Sequence, residues 1–415
     1  MTSPLALLGG PPIRTRPFPA WPVHGRAEED RLLRVLRSGN WGRLDGNEVA
    51  EFEHRFAAMH GCRYGIAVVN GTVSLRIALL AAGIKADDEV IIPPYTFVST
   101  ATAVIEANAV PVFADVDLAT FNLNPAAVEA AITPRTRAII PVHFAGQPAD
   151  MDAIMAIAAS RGILVVEDAA HAHGAAYHGR PAGSLGHIAS FSFQSSKNLT
   201  SGEGGIITTN DTALADACRS IHNCGRVPGG VWYEHHVVSG NYRLGEFQGA
   251  ILNCQLDRLE SQTNTRDRNG RRLAARIGQI PGLHLQARPA ECTRHSHHLF
   301  MVRIEPPAFG ASRTAVHTAL EAEGIPCGTG YGYSLPDQPL FRHKAFGPYL
   351  PHAAARLDYR QTRCPNSDLI CREQGLWLGQ NLLLGGDEDV DDIALAFEKV
   401  HAERGALAGA GEPST

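Results

Sequence analysis

The sequence predicts an α/β protein in which a doubly wound, mainly parallel sheet of seven strands is followed by a smaller α+β domain. Three observations predict it. Between residues 64 and 209, short apolar runs alternate with helix-patterned segments, the rhythm of βαβ units. Runs such as Val90-Ile91-Ile92 and Leu164-Val165-Val166 are apolar at successive positions, as strands covered on both faces must be. Near residue 260 the alternation breaks and the pattern becomes helical.

Residues 1–25 are rich in Pro and Gly and predict an irregular arm. A helix over 27–36 stops at Ser38-Gly39-Asn40, Trp41-Gly42-Arg43 forms an exposed turn, and a second helix covers 49–59. Strands are expected at 65–69, 89–92, 110–113, 138–142, 164–167, 188–193 and 205–209. Helices at 73–82, 97–107, 126–132 and 153–160 connect the first five. A long helix over 252–269, with Leu252, Leu256 and Leu259 on one face, bridges to the second domain. There, strands are expected at 299–304 and 325–326, a helix at 314–323, and a Gly/Pro/aromatic loop on the substrate side at 330–351. The division is an arm (1–25), a large domain (26–260), a small domain (261–402) and a disordered tail (403–415). No internal repeat is visible.

Composition narrows the function. A net charge of −5 with no arginine cluster argues against a nucleic-acid surface, and no apolar run approaches a membrane-spanning length. The first 22 residues lack the apolar core of a signal peptide. Eight scattered cysteines without a C-x-x-C pair read as reduced thiols, and together these features predict a cytoplasmic enzyme.

Amine chemistry has few candidates, because the only lysines are Lys85, Lys197, Lys344 and Lys399. Lys197 alone lies between an apolar run and a glycine-rich turn, Ser201-Gly202-Glu203-Gly204-Gly205. At the mouth of a buried strand a lysine is desolvated, which lowers its pKa and frees the amine as a nucleophile. Moving it from about 10.4 towards 7 corresponds to roughly 4–5 kcal/mol, more than a surface position imposes. Asp168 ends another buried strand, where open α/β sheets place ligands, and an acid there can keep a pyridinium nitrogen protonated.

Other motifs gather at the same sheet edge. Asn70-Gly71-Thr72 between a strand and a helix has the geometry of a phosphate cradle, and equally that of an ordinary N-cap. Phe97, after Pro93-Pro94-Tyr95-Thr96, could stack on a flat cofactor or fill the core. Ser192, Gln194 and Lys197 bring a hydroxyl, an amide and an amine to one strand end. His171 with His173, and His295-Ser296-His297-His298, have metal-like spacing but lack a further ligand, so no metal site is predicted. No dinucleotide or P-loop fingerprint occurs.

Together these stretches carry a resemblance. Asn-Gly-Thr (70–72), Thr-Phe (96–97), Glu-Asp-Ala-Ala-His (167–171), Phe-Ser-Phe-Gln-x-x-Lys (191–197), Gly-Glu-Gly-Gly (202–205) and Gly-Asn-Tyr-Arg (240–243), in this order, resemble the DegT/DnrJ/EryC1/StrS aminotransferases. That family has the type I fold of pyridoxal-phosphate enzymes and acts on keto sugars and keto cyclitols. The resemblance implies pyridoxal 5'-phosphate held as an internal aldimine on Lys197, passing through pyridoxamine phosphate in turnover. It implies Asp168 at the pyridine nitrogen, His171 beside the ring and Phe97 stacked on it. Gly71, Thr72 and Ser192 would bind the phosphate, Gln194 would lie among the cofactor contacts, and Asn241 would reach the neighbouring subunit's phosphate in a homodimer with shared active sites. Trp41, Gln194, His298 and Tyr331 are the expected acceptor contacts.

The chain departs from nucleotide-sugar members by Gln194-Ser195-Ser196 before the lysine and by Cys364-Pro365-Asn366 near its end. These features resemble the inosose aminotransferases and the aminohydroxybenzoate synthase branch, pointing to a free ring ketone with glutamine or glutamate as donor. Aromatisation of an aminated cyclohexenone and a non-catalytic partner subunit are the competing readings.

Overall fold

A computed structural model describes residues 4–407 of the chain. The chain opens with α1 (Arg26–Ser38), α2 (Glu48–Met59) and β1 (Tyr64–Val68). Alternation follows: α3 (Gly71–Ala81), β2 (Glu89–Ile92), α4 (Ser99–Glu106), β3 (Val110–Phe113), α5 (Pro125–Ala131), β4 (Thr136–Ile139), α6 (Met151–Arg161) and β5 (Leu164–Asp168). A two-stranded ribbon, β6 (Ala176–Tyr177) and β7 (Arg180–Pro181), leads to β8 (Ile188–Ser192), β9 (Gly205–Thr209) and α7 (Thr212–His222).

The main sheet has seven strands in the order β1-β9-β8-β5-β4-β2-β3. Only β9 runs against the others, pairing antiparallel with both β1 and β8. The parallel strands are sandwiched between two apolar layers. One is built around Leu75, Ala101 and Val104 of the helices, the other around Phe52, Phe56, Phe191 and Leu252. Strands buried on both faces read in sequence as unbroken apolar runs, whichever way they run.

Helix α8 (Glu246–Ile277) runs 32 residues, longer than the 252–269 expected from its leucines. It extends past both expected ends: at the start Glu246 receives the Glu48 N–H, and at the finish Leu273 and Ile277 are buried in the core that the following elements build. Beyond it come β10 (Leu283–Leu285), β11 (Leu299–Ile304), α9 (Pro306–Phe309) and α10 (Arg313–Ala322). Helices α11 (Pro339–Arg342) and α12 (Pro365–Leu369), strand β12 (Gly375–Gly379) and α13 (Asp387–Ala402) complete the chain's main elements. β10, β11 and β12 form a separate antiparallel sheet.

Three expectations are corrected. Ile325-Pro326 is no strand; Ile325 is a core plug after α10, and β10 and β12 flank β11 instead. The stretch 330–351 is packed rather than a free loop: Phe341, Phe346 and Leu350 are buried, and the Phe341 ring lies 5.2 Å from Phe113 of β3. The tail expected from 403 begins as a 3₁₀ turn, Arg404–Leu407, with Leu407 buried against the second core, while residues 408–415 lie outside the described residues. Among the described residues of the arm, Leu5 is buried in that same core, and Arg14 pairs with Asp389 and Asp392 at 2.8 Å. All eight cysteines are unpaired, and no described helix is long and apolar enough to cross a membrane.

Candidate active site

A cavity of about 610 Å³ opens where β5 and β8 end and α3 and α4 begin. Open parallel sheets place ligands at this edge because strand ends and helix N-termini converge there. Ten residues singled out from the sequence line it: Gly71, Thr72, Phe97, Asp168, His171, Ser192, Gln194, Lys197, His298 and Tyr331.

Alternation along β5 separates two adjacent acids. Glu167 points to one face, where its carboxylate accepts from the N–H groups of Gly183, Leu185 and Gly186 at 2.7–2.8 Å. His143 Nε2 lies 2.8 Å away, and its Nδ1 accepts from Ala149 N–H, so Nε2 carries the proton and donates to Glu167. These donors hold the Glu167 carboxyl below its ordinary range despite complete burial. Asp168 points the opposite way, into the cavity, where Oδ2 accepts from Thr100 Oγ1 at 2.8 Å and Oδ1 from Ala170 N–H at 3.2 Å. Burial pushes its carboxyl up, against Thr100, Ala170 and the Lys197 charge.

Lys197 reaches the cavity from the turn after β8. Its side chain is half-buried, but the amine end is desolvated, which pushes it down to about 8, while Asp168 pulls the other way. Among the described residues its side chain has no hydrogen bond or ion pair. The amine is therefore open to a ligand.

The phosphate cradle has its own geometry. Asn70 caps α3 by accepting the Val73 N–H at 2.9 Å, and the Gly71 and Thr72 N–H groups, at the first two helical positions, have no intrahelical partner. A Cβ on Gly71 would sit 2.6 Å from Ser192 Cβ, so only glycine lets the helix start this close to β8. Asn70 is thus the N-cap, and the unpartnered N–H groups beside it leave the helix end able to accept an anion.

On the opposite wall the His171 and His298 rings lie 4.2 Å apart, and Tyr331 meets Trp377 edge-on at 5.2 Å. Burial, with the nearby cationic groups, keeps both imidazoles neutral, and His171 Nδ1 has no partner. Phe97 lies at the lip, 58% exposed.

Two expected residues lie elsewhere. Trp41 is half exposed, donates to Leu36 O and packs on Phe247, so it is no part of this chain's cavity. Asn241 is exposed and pairs through its backbone with Asn223, away from the cavity of its own chain. Gln194 lines the cavity, and its amide is engaged with Ser195 Oγ and with Ser196 N–H and Oγ. Sequence reasoning missed Thr100, Glu203 and Trp377. Thr100 had a signal, a threonine one turn after Thr96 facing a strand end; Trp377 had only its place in Leu376-Trp377-Leu378.

Known proteins resemble this chain in sequence and fold. Residues 23–394 match the DegT/DnrJ/EryC1/StrS aminotransferase family. The chain is 40% identical to the 3-amino-5-hydroxybenzoate synthase of Amycolatopsis mediterranei, over 91% of this chain and 95% of that one. It is 37% identical to the L-glutamine:2-deoxy-scyllo-inosose aminotransferase of Streptoalloteichus tenebrarius, over 97% and 99%. The crystal structure of 3-amino-5-hydroxybenzoic acid synthase superposes with a TM-score of 0.84 at 38% identity, covering 93% of this chain and 99% of that one. The protein thus belongs to the DegT/DnrJ/EryC1/StrS aminotransferase family and is an aminotransferase of the type I fold.

Proposed function

We propose that this enzyme moves an amino group from glutamine or glutamate to the ring ketone of a free cyclitol or keto sugar, with pyridoxal 5'-phosphate as cofactor. One observation carries the reading: an unpaired, desolvated amine shares a 610 Å³ cavity with a buried acid and an anion-ready helix end.

The residues fit the cofactor. Lys197 Nζ would hold its aldehyde carbon, Asp168 its ring nitrogen, Gly71, Thr72 and Ser192 its phosphate, and Phe97 and neutral His171 its ring faces. When bound, the group supplies an electron sink for charge developing at the donor's α-carbon. Lys197 Nζ, near 8, is unprotonated in about a tenth of molecules at pH 7, so it can take a proton and return it. Thr100 orients Asp168 and, by donating to it, favours its charged form against burial. Trp377, Tyr331 and His298 exclude water from the acceptor side.

Among the described residues Lys197 is the only lysine or arginine lining this cavity, so they offer no cationic clamp for a nucleotide diphosphate. That supports a free ring ketone. The two relatives' names point the same way: one acts with L-glutamine on an inosose, the other makes an aminohydroxybenzoate. The latter favours a second reading, amination followed by loss of water to an aromatic product. We place the enzyme in a homodimer, with Asn241 of the partner subunit closing the phosphate site. Eight unpaired cysteines support a cytoplasmic setting.

A half-reaction screen tests the proposal. Protein loaded with pyridoxal phosphate is expected to absorb visible light, L-glutamine to bleach it, and keto-cyclitols to restore it. A Lys197→Ala protein that still transaminates would refute the reading. An ultraviolet-absorbing aromatic product would select the second.

A further inference from the structure

Outside the cavity, His317, Glu321 and Cys327 bring a nitrogen, a carboxylate oxygen and a sulfur within 4.8 Å of one another. Among the described residues no other group of three His, Cys, Asp or Glu side chains comes so close. His317 and Glu321 are four residues apart on α10, so both leave the same helix face. After the helix the chain folds back through Gly324, whose φ of 88° suits glycine, and carries Cys327 over that face. The Cys327 N–H donates to Glu321 Oε1 at 3.0 Å, and its carbonyl lies 3.2 Å from His317 Nε2. His317 and Cys327 are half-buried, and Glu321 is exposed.

We propose that His317, Glu321 and Cys327 bind a divalent cation of the zinc class, with water in the fourth position. The donor set selects the ion: thiolate, imidazole and carboxylate all ligate zinc, whereas calcium and magnesium require oxygen. Ligand atoms around tetrahedral zinc, at about 2.0–2.3 Å from the metal, stand roughly 3.3–3.8 Å apart. The site must therefore contract by about an ångström at its widest. The Cys327 S–H bond breaks as the metal–sulfur bond forms and its proton passes to solvent. Thiolate and carboxylate then balance the two positive charges.

The site's place in the fold gives it a consequence. Cys327 precedes Gly328, which exchanges two backbone hydrogen bonds of 2.9 Å with Trp377, and Tyr331 follows three residues later. Trp377 and Tyr331 form one wall of the cavity. The ion is thus a clip fastening α10 to the segment that carries that wall, and it stands whether or not the substrate reading does.

Titration with Cd²⁺, read by the ultraviolet thiolate-to-cadmium charge-transfer band, tests it on the whole protein. One equivalent is expected to bind, Zn²⁺ to displace it, and Mg²⁺ to leave it in place. Cys327→Ser should abolish the band, whereas Cys224→Ser, at the other half-buried cysteine, should not. Glu321→Gln, which alters an exposed side chain, and His317→Gln should each weaken binding at least about tenfold. A band that survives Cys327→Ser, no band in the unaltered protein, or unchanged affinity in both ligand variants would each overturn the three-ligand site.

Discussion

Desolvation and charge compete at Lys197, and their balance sets its chemistry. Burial lowers the amine to about 8 and Asp168 raises it, so removing that charge should lower it further. Acetylation of the cofactor-free protein at Lys197, quantified by peptide mass spectrometry, should rise with pH through a midpoint near 8, because only the neutral amine reacts. In Asp168→Asn the midpoint should move to lower pH; a midpoint at the ordinary 10.5 would mean the amine is solvated after all. Thr100 acts one step away. It donates the one side-chain hydrogen bond to Asp168, and bonds to charged groups contribute about 1.5–3 kcal/mol. Thr100→Val should therefore lower kcat/KM about tenfold or more, and Thr100→Ser should restore it.

Elements turn these residues into a site. The period-2 alternation of β5 sends Glu167 to a structural anchor and Asp168 to the cavity, so one strand end both locks the fold and presents the acid. Helix α3 does the same for anions by starting against β8. Gly71→Ala places a methyl 2.6 Å from Ser192 Cβ, and overpacking of this kind costs about 1–3 kcal/mol. Urea denaturation should show that loss, and equilibrium dialysis should show weaker binding of pyridoxal phosphate. Unchanged cofactor affinity in a folded Gly71→Ala protein would remove the helix end from the phosphate site.

Across the whole molecule, the segment from Leu335 to Cys364 returns to pack on the first core although it lies between stretches of the second one in sequence. Phe341, Phe346 and Tyr359 cluster there around Phe113. Phe341→Ala should therefore cost about 3–5 kcal/mol, measurable as a lowered denaturation midpoint, where a free loop would show almost none. On the surface, Val231, Tyr233 and Val238 are 65%, 82% and 103% exposed. Apolar side chains clustered this openly fit a subunit contact next to Asn241. Light scattering should give twice the 44.5 kDa chain mass, and Tyr233→Glu with Val238→Glu should shift it towards the monomer.

The seven strands, the helices between them and the lysine–acid pair were legible in the sequence because local rules write them. Two-sided burial leaves unbroken apolar runs, and a phosphate-ready helix needs its glycine in a fixed place. The packing of Phe341 and Leu407 and the full length of α8 were not legible. Each depends on residues far away in the chain, and nothing in a Gly/Pro/aromatic stretch tells which surface it will meet. Likewise Glu167 and Asp168 are neighbours of one charge type, and their division into anchor and site came only when the strand's two faces acquired different surroundings.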